Sequence, residues 1–192
     1  MSSANEQWRL FLALPTTDEV QACVSDAQLA LRAHRLPVRW VDEELTHITV
    51  KFLGDTPRDR VDALKEQLAA AVAGHNASRL ATAELGAFPN PRKPYVLWLG
   101  IGGELAAVQA LAGSIDDVAA QFDVERSHRP FRPHVTIGRW RYQDGQAFDI
   151  TELLRETAIP SAPLPVERVQ LIRSILRARG PEYTVIAEWP LT

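Results

Sequence analysis

The chain has 192 residues, 46% of them hydrophobic, enough to bury a core in one large domain or in two small lobes. Its formal charge of -3 excludes a protein that coats nucleic acid through overall positive charge, so any nucleic acid is expected to be held locally. A single cysteine, Cys23, excludes an internal disulfide and a cysteine-based metal cluster. The first residues lack a basic stretch followed by an apolar run, and no run of about 18 apolar residues suits a membrane helix. The expected setting is that of a soluble, cytoplasmic protein with no membrane partner.

In chain order, residues 8–14 (Trp-Arg-Leu-Phe-Leu-Ala-Leu) read as a buried first strand stopped by Pro15. Thr16 with Glu19 makes a capping-box signature, and Val20, Cys23, Val24, Ala27 and Leu31 form the inner stripe of a helix running to about Arg35. Cys23 sits on that stripe, as a packed core thiol would. Residues 38–41 are extended and 45–53 form the next strand. Thr56 as cap and Pro57 at the first helical position open a second helix, with Val61, Leu64, Leu68 and Val72 inward and Gly74 at its end. A strand at 80–88, a proline-rich loop at 89–94 and a strand at 95–101 follow. A third helix faces Leu105, Val108, Leu111, Ile115 and Val118 inward. After an arginine-rich loop come a strand at 132–139, a short helix near 150–156, and strands at 166–176 and 183–189 joined through Arg179-Gly180-Pro181. This order predicts an α+β fold of two lobes built by duplication, each with a sheet backed by helices.

The tripeptide His-x-Thr occurs twice, as His47-Ile48-Thr49 and His134-Val135-Thr136, each time in a strand-like stretch. Alternation puts Ile48, Val50 and Phe52 on one face of the first strand and His47, Thr49 and Lys51 on the other. In the second, Val135 and Ile137 face the core while His134 and Thr136 face away. Each histidine thus has a threonine on its own face, roughly 7 Å along the strand. An imidazole and a hydroxyl at that spacing can both touch one phosphate group. Either copy alone also fits an ordinary half-exposed strand, and two copies with similar flanks favour one shared site. The remaining histidines lack such a hydroxyl: His34 and His75 fall near helix ends, and His128 lies in the loop before the second motif.

Paired histidines with paired hydroxyls suit acid-base catalysis at a phosphodiester. One neutral imidazole takes a proton from water and one imidazolium gives a proton to the leaving oxygen, both near an ordinary pKa of about 6.5. The hydroxyls can bond the non-bridging oxygens where charge grows. Arg126, Arg129, Arg132, Arg139 and Arg141 offer a positive rim, the plainer alternative being a solvated loop and strand edge. Zinc is the competing chemistry, but threonine is not among its ordinary ligands, so neither metal nor other cofactor is expected. A serine elbow and a phosphate-binding Walker loop are both missing.

With these residues the chain resembles the two-histidine phosphoesterase superfamily, and within it the RNA 2′,3′-cyclic phosphodiesterases, also called 2′-5′ RNA ligases. The resemblance rests on both motifs and on phrases along nearly the whole chain. These are residues 9–14, Trp40-Val41 ahead of His47, Phe52-Leu53-Gly54, residues 96–100, Phe131-Arg132-Pro133-His134, and the ending from Gly180-Pro181-Glu182-Tyr183 to Trp189-Pro190-Leu191. It implies two pseudo-symmetric α+β lobes, each a mostly antiparallel sheet, forming a single bilobal domain over 1–192 with the site in the cleft between them. It further implies opening of a terminal 2′,3′-cyclic phosphate, on RNA ends or cyclic nucleotides, to a 2′-phosphate, with 2′-5′ ligation as the reverse, and a monomer that uses neither ATP nor metal. By motif position His47 corresponds to the acid on the 3′ oxygen, His134 to the base on water, and Thr49 and Thr136 to the phosphate holders. Arg132 matches the family pattern, and Phe131, Phe88 and Lys51 are further candidates for substrate contact. Alternatives are a phosphodiesterase for 2′-5′ oligonucleotides or small cyclic nucleotides, and a non-catalytic RNA-end binding module. Many relatives carry Leu directly before the first histidine, where this chain has Thr46.

Overall fold

The computed structural model describes residues 6–141, 148–178 and 180–192; of the expected 179–181 turn, Arg179 lies outside them. The first strand, β1 (Gln7–Pro15), alternates Leu10, Leu12 and Leu14 into the main core with Phe11 and Ala13 on the other face, where both are also buried. A strand buried on both faces belongs inside a sheet, and β1 lies between β3 (His47–Pro57) and β8 (Arg168–Arg177), antiparallel to each. Among the described residues nine strands form one sheet, in the order β7 (Pro163–Val166), β4 (Ser78–Asn90), β5 (Lys93–Gly103), β6 (His134–Trp140), β3, β1, β8, β9 (Gly180–Pro190), with β2 (Val38–Trp40) added to β6.

The sheet divides at β3 and β6, whose paired residues are Ile48 and Val135. One lobe holds β3, β1, β8 and β9, the other β6, β5, β4 and β7, which is the expected two-lobed α+β arrangement with a continuous sheet between the halves. The sheet curls. Although β9 is at its edge, three strands from β3, a Cβ added to Gly180 would lie 3.7 Å from Arg39 Nη2 on β2.

Four helices are described: α1 (Asp18–Arg32), α2 (Val61–Val72), α3 (Leu105–Gln121) and α4 (Thr151–Glu156). The inner faces of α1, α2 and α3 follow the stripes read from the sequence, with Gln28 added on α1, Ala112 and Ala119 added on α3, and Leu105 only partly buried. The lobes exchange helices. α1 follows β1, yet Gln28 Nε2 donates to Ile137 O at 3.0 Å on β6 and Thr17 Oγ1 donates to Pro163 O at 3.4 Å on β7. α3 follows β5, yet packs on α2 and β3.

Several element ends differ from the expectation. The cap of α1 is Thr17, whose Oγ1 accepts from Val20 N at 3.3 Å, while Thr16 Oγ1 donates to Thr46 O at 3.1 Å. Thr56 and Pro57 remain in β3, paired with Trp8 and Gln7, and α2 starts at Val61 after a 3-10 turn at Arg58–Arg60. The expected 89–94 loop is the tip of the β4–β5 hairpin, where Asn90 Oδ1 accepts from Arg92 N and Lys93 N. Thr46 replaces the leucine of many relatives without an unpaired hydroxyl, since its Oγ1 donates to Glu43 O at 2.6 Å.

Two register shifts in the β1–β3 pair leave Val50 and Leu53 without partners on β1. An extra residue reverses the alternation beyond it. Phe52 therefore turns to the open face, 45% exposed under the Arg9 guanidinium, and not into the core with Ile48; Lys51 turns the other way, toward the helices. On the second lobe the Trp98 indole lies across Gly86, where an added Cβ would come 2.1 Å from Trp98 Cζ2. Replacing Gly86 by Ala is expected to cost about 1–3 kcal/mol through overpacking, measured by chemical denaturation; unchanged stability would show that the indole is free to move.

Candidate active site

The contact of Ile48 with Val135 sets the geometry. In an antiparallel ladder it puts His47 across from Thr136 and Thr49 across from His134. The row through the middle residues, Leu14, Ile48, Val135 and Leu99, is fully buried, so the rows on either side project to the open face. One reads Ala13, Thr49, His134, Gly100; the other Pro15, His47, Thr136, Trp98. The two imidazoles stand at opposite corners of a four-group cluster and the two hydroxyls at the other corners, with diagonal Cβ spacings of roughly 7–8 Å. A phosphorus at the centre would have an imidazole on each of two opposite sides and a hydroxyl toward each remaining side. Both copies of His-x-Thr thus come together as the repetition suggested.

Each imidazole is oriented by the same local device. His47 Nδ1 lies 2.9 Å from Leu45 O and His134 Nδ1 lies 2.8 Å from Arg132 O. A carbonyl accepts only, so Nδ1 carries the hydrogen in both rings and Nε2 is left for proton transfer. His47 Nε2 is 3.1 Å from Thr49 Oγ1. Each ring also sits between two aromatics. Phe11 and Tyr183 have centroids 4.8 and 5.5 Å from His47, and Phe88 and Trp98 have centroids 5.0 and 6.2 Å from His134. Tyr183 and Phe88 both present an edge-on geometry to their histidine, so the pseudo-symmetry extends past the motifs.

Burial pushes the pKa of both histidines below the ordinary 6.5. At His47 the Leu45 carbonyl opposes this, while the charges of Arg139 and His134 add to it. At His134 the Arg132 carbonyl opposes it, and the charges of Arg132 and Arg139 add to it. Burial raises the Tyr183 phenol, with Arg139 and Arg9 acting against it. Arg139, one residue of the expected rim, therefore acts on both imidazoles.

The other candidates divide. Phe88 is at His134, and Arg132 is exposed with its charge felt there. Phe131 is partly buried and packs against the main core. Lys51, expected on the histidine face, is buried on the opposite side in an ion pair with Asp116, because the bulge at Val50 reverses the strand. His75 bonds Ser114 and His128 bonds Glu125, away from the cluster. Phe11, Tyr183 and Trp98 were missed as site residues; the signal for Phe11 was its place between the core leucines of β1. Among the described residues no three His, Cys, Asp or Glu side chains are grouped as metal ligands. No described helix is long and apolar enough to cross a membrane. A cavity of about 420 Å³ at the far end of β3, lined by Phe52, Asp55, Arg60, Phe122 and Glu125 among others, contains neither motif histidine.

A curled antiparallel sheet presenting two symmetry-related His-x-Thr pairs on one face is the arrangement of a two-histidine phosphoesterase. The pattern of the 2′-5′ RNA ligase superfamily matches residues 18–176, and the chain belongs to that family. It is 35% identical to an RNA 2′,3′-cyclic phosphodiesterase of Geobacillus stearothermophilus over 94% of its own length and 56% of that protein's. It is 26% identical to one of Thermotoga maritima, over 94% of each chain. Among solved structures, E. coli LigT complexed with 3′-AMP superimposes with a TM-score of 0.72 at 26% identity, covering 97% of this chain and 99% of that one. The protein TT0787 of Thermus thermophilus gives 0.72 at 25% identity, covering 95% and 97%.

The depressed imidazole values have a direct check. NMR titration is expected to place both midpoints below 6.5. The unfolded chain then takes up protons first as pH falls, so the contribution of these groups to stability is complete above the unfolded value and lost as pH drops through the folded midpoints. Denaturation should show that loss setting in as pH falls below 6.5; midpoints at or above 6.5 would contradict burial as the dominant influence.

Proposed function

We propose that this chain hydrolyses terminal 2′,3′-cyclic phosphates of RNA to 2′-phosphates, without a metal, by acid-base catalysis between two histidines. The observation that carries this reading is the diagonal placement of His47 and His134 across the Ile48–Val135 contact. In-line displacement at phosphorus needs the entering and leaving oxygens on opposite sides, and opposite corners of the cluster supply a proton acceptor and a proton donor there. Water attacks phosphorus as His134 Nε2 takes its proton; the bond from phosphorus to the 3′ oxygen breaks and that oxygen takes the proton of His47. The product is a 2′-phosphate with a free 3′ hydroxyl. A 5′ hydroxyl that takes the place of water gives 2′-5′ joining by the same proton transfers, and reversal of that joining exchanges the two roles. Thr49 and Thr136 bond the non-bridging oxygens, whose charge grows during the reaction. Phe88 and Arg132, beside His134, belong to the substrate contacts, and the two lobes act as one unit, as a monomer in the cytoplasm.

Both imidazoles are shifted toward their neutral forms in the resting protein, and the field of the bound phosphate, which opposes that of Arg139, favours uptake of a proton from solvent by the acid. The names of the relatives support the cyclic-phosphate substrate. A phosphodiesterase for 2′-5′ oligonucleotides or small cyclic nucleotides would use the same four residues. A binding module that does no chemistry would have no use for two imidazoles whose Nδ1 atoms are both tied to carbonyls so that both Nε2 atoms face the cluster.

The test is hydrolysis of a short RNA with a 2′,3′-cyclic phosphate end, in EDTA. His47→Ala and His134→Ala are each expected to lower kcat by about 100-fold or more, and Thr49→Ala or Thr136→Ala to lower kcat/KM by about 10- to 100-fold through a lost bond to a charged oxygen. The product carries its phosphate at the 2′ position. The rate should be bell-shaped in pH, and the alkaline limb of kcat/KM should fall below 6.5, the side to which both free imidazoles are shifted. Loss of turnover on chelation, or turnover that survives both histidine replacements, would sink the mechanism.

A further inference from the structure

A partly buried charge cluster around Lys51, beneath the sheet, takes no part in the chemistry above. Lys51, 8% exposed, donates from its ammonium to Asp116 on α3, to Glu125 O at 2.6 Å and to Ser127 Oγ at 3.2 Å. Asp116 also accepts from Ser127 N at 3.2 Å and from Ser127 Oγ at 3.0 Å. Burial pushes the Asp116 carboxyl up, but the Lys51 ammonium and the Ser127 donors outweigh it, so the group stays ionised. The cluster joins three pieces: the strand of the first His-x-Thr, helix α3, and the start of the irregular segment 124–133 that leads into the second His-x-Thr. The far end of the segment is tied where Pro133 O accepts from Ile101 N at 3.2 Å and Arg132 O accepts from His134 Nδ1 at 2.8 Å. Within it Arg126 pairs with Asp117 and His128 with Glu125, whereas Arg129 and Arg132 pair with no carboxylate among the described residues. A buried ion pair adds little net stability over apolar residues of the same size, and what it adds is a defined geometry. Here that geometry belongs to the one connection that carries Arg132.

We propose that Lys51 is a positioning residue, whose clamp on Asp116, Glu125 and Ser127 holds the 124–133 segment so that Arg132 stands beside His134 and meets the substrate phosphate. The proposal rests on the phosphodiesterase reading for the phosphate contact. The charged groups facing His134 are Arg132 on the segment, Arg139 on β6, His47 across the strand pair, and Glu84 on β4, whose carboxyl carbon is 3.5 Å from a Cβ added to Gly100 opposite His134. All but Arg132 sit on strands. Releasing the segment therefore withdraws the Arg132 guanidinium alone, while the Arg132 carbonyl, next to the tie at Pro133, stays. The charges that act on His47 are those of Arg139 and His134, neither of which lies on the segment.

The experiment compares Lys51→Met, Lys51→Arg and Ser127→Ala by NMR titration of both imidazoles and by steady-state hydrolysis of an RNA oligonucleotide with a 2′,3′-cyclic phosphate end. Lys51→Met is expected to raise the His134 midpoint toward 6.5 and leave that of His47 in place. It should raise KM by about 10-fold, with kcat changed by less than about threefold. Ser127→Ala moves the same quantities less, and Lys51→Arg, which keeps the cation, stays near the native values. Should Lys51→Met not fold, Ser127→Ala and Asp116→Asn carry the test. Folded variants with unchanged His134 midpoint and KM overturn the proposal. So does equal movement of both histidines, the mark of a general loosening. If the native protein opens no cyclic phosphate, the proposed function fails, and the imidazole titrations alone decide whether the clamp exists.

Discussion

The arrangement depends on one contact between strands, Ile48 against Val135. Both side chains are fully buried and continue a row with Leu14 and Leu99 across the middle of the sheet. Because strand side chains alternate, burying this row forces the residues on either side of it, one histidine and one threonine from each strand, onto the open face. A slip of one residue would bury the histidines and expose the aliphatics. The packing preference of the core therefore specifies the placement of the polar cluster, with no need for contacts among its members beyond the His47–Thr49 bond.

The exchange of helices between lobes guards that contact. Gln28 of α1 reaches two carbonyls, Val41 O at 2.6 Å and Ile137 O at 3.0 Å, so the helix that follows β1 is stitched to the strand of the other motif. α3 makes the reciprocal crossing and carries Asp116 to Lys51. Relative motion of the lobes would have to break both crossings, along with the continuous strand path. The aromatic pairs around each histidine finish the job locally, by fixing the rings and excluding water from one side.

The electrostatics carry a tension that suits the proposed chemistry. An acidic chain of net charge -3 needs local cations to hold a phosphate, yet Arg132 and Arg139 also drive the imidazoles toward their neutral forms. A neutral base is what the attacking water needs. An anion between the two rings favours the charged form of the acid, so in the proposed reaction its protonation is coupled to occupancy of the site.

The amino-acid sequence by itself determined the helix faces, most of the strands along the chain and the two motifs, because each depends on spacings of two to four residues that a local pattern displays. Val61, Leu64, Leu68 and Val72, for example, form the inner face of α2 as their spacing requires. It misplaced element ends: Thr16 reads as the cap through its spacing to Glu19 until Thr46 engages it and Thr17 caps instead, and Thr56-Pro57 reads as a helix start until β1 pairs with it. Only the tertiary structure decided where Lys51 points, since the bulge at Val50 is an excess of residues on β3 relative to β1 and neither strand shows it alone. The same holds for Phe11, Tyr183 and Trp98, which the sequence did not single out. Like Phe88, which it did, they become neighbours of the histidines only when the sheet pairs and curls, a property of long-range pairing that no local pattern contains.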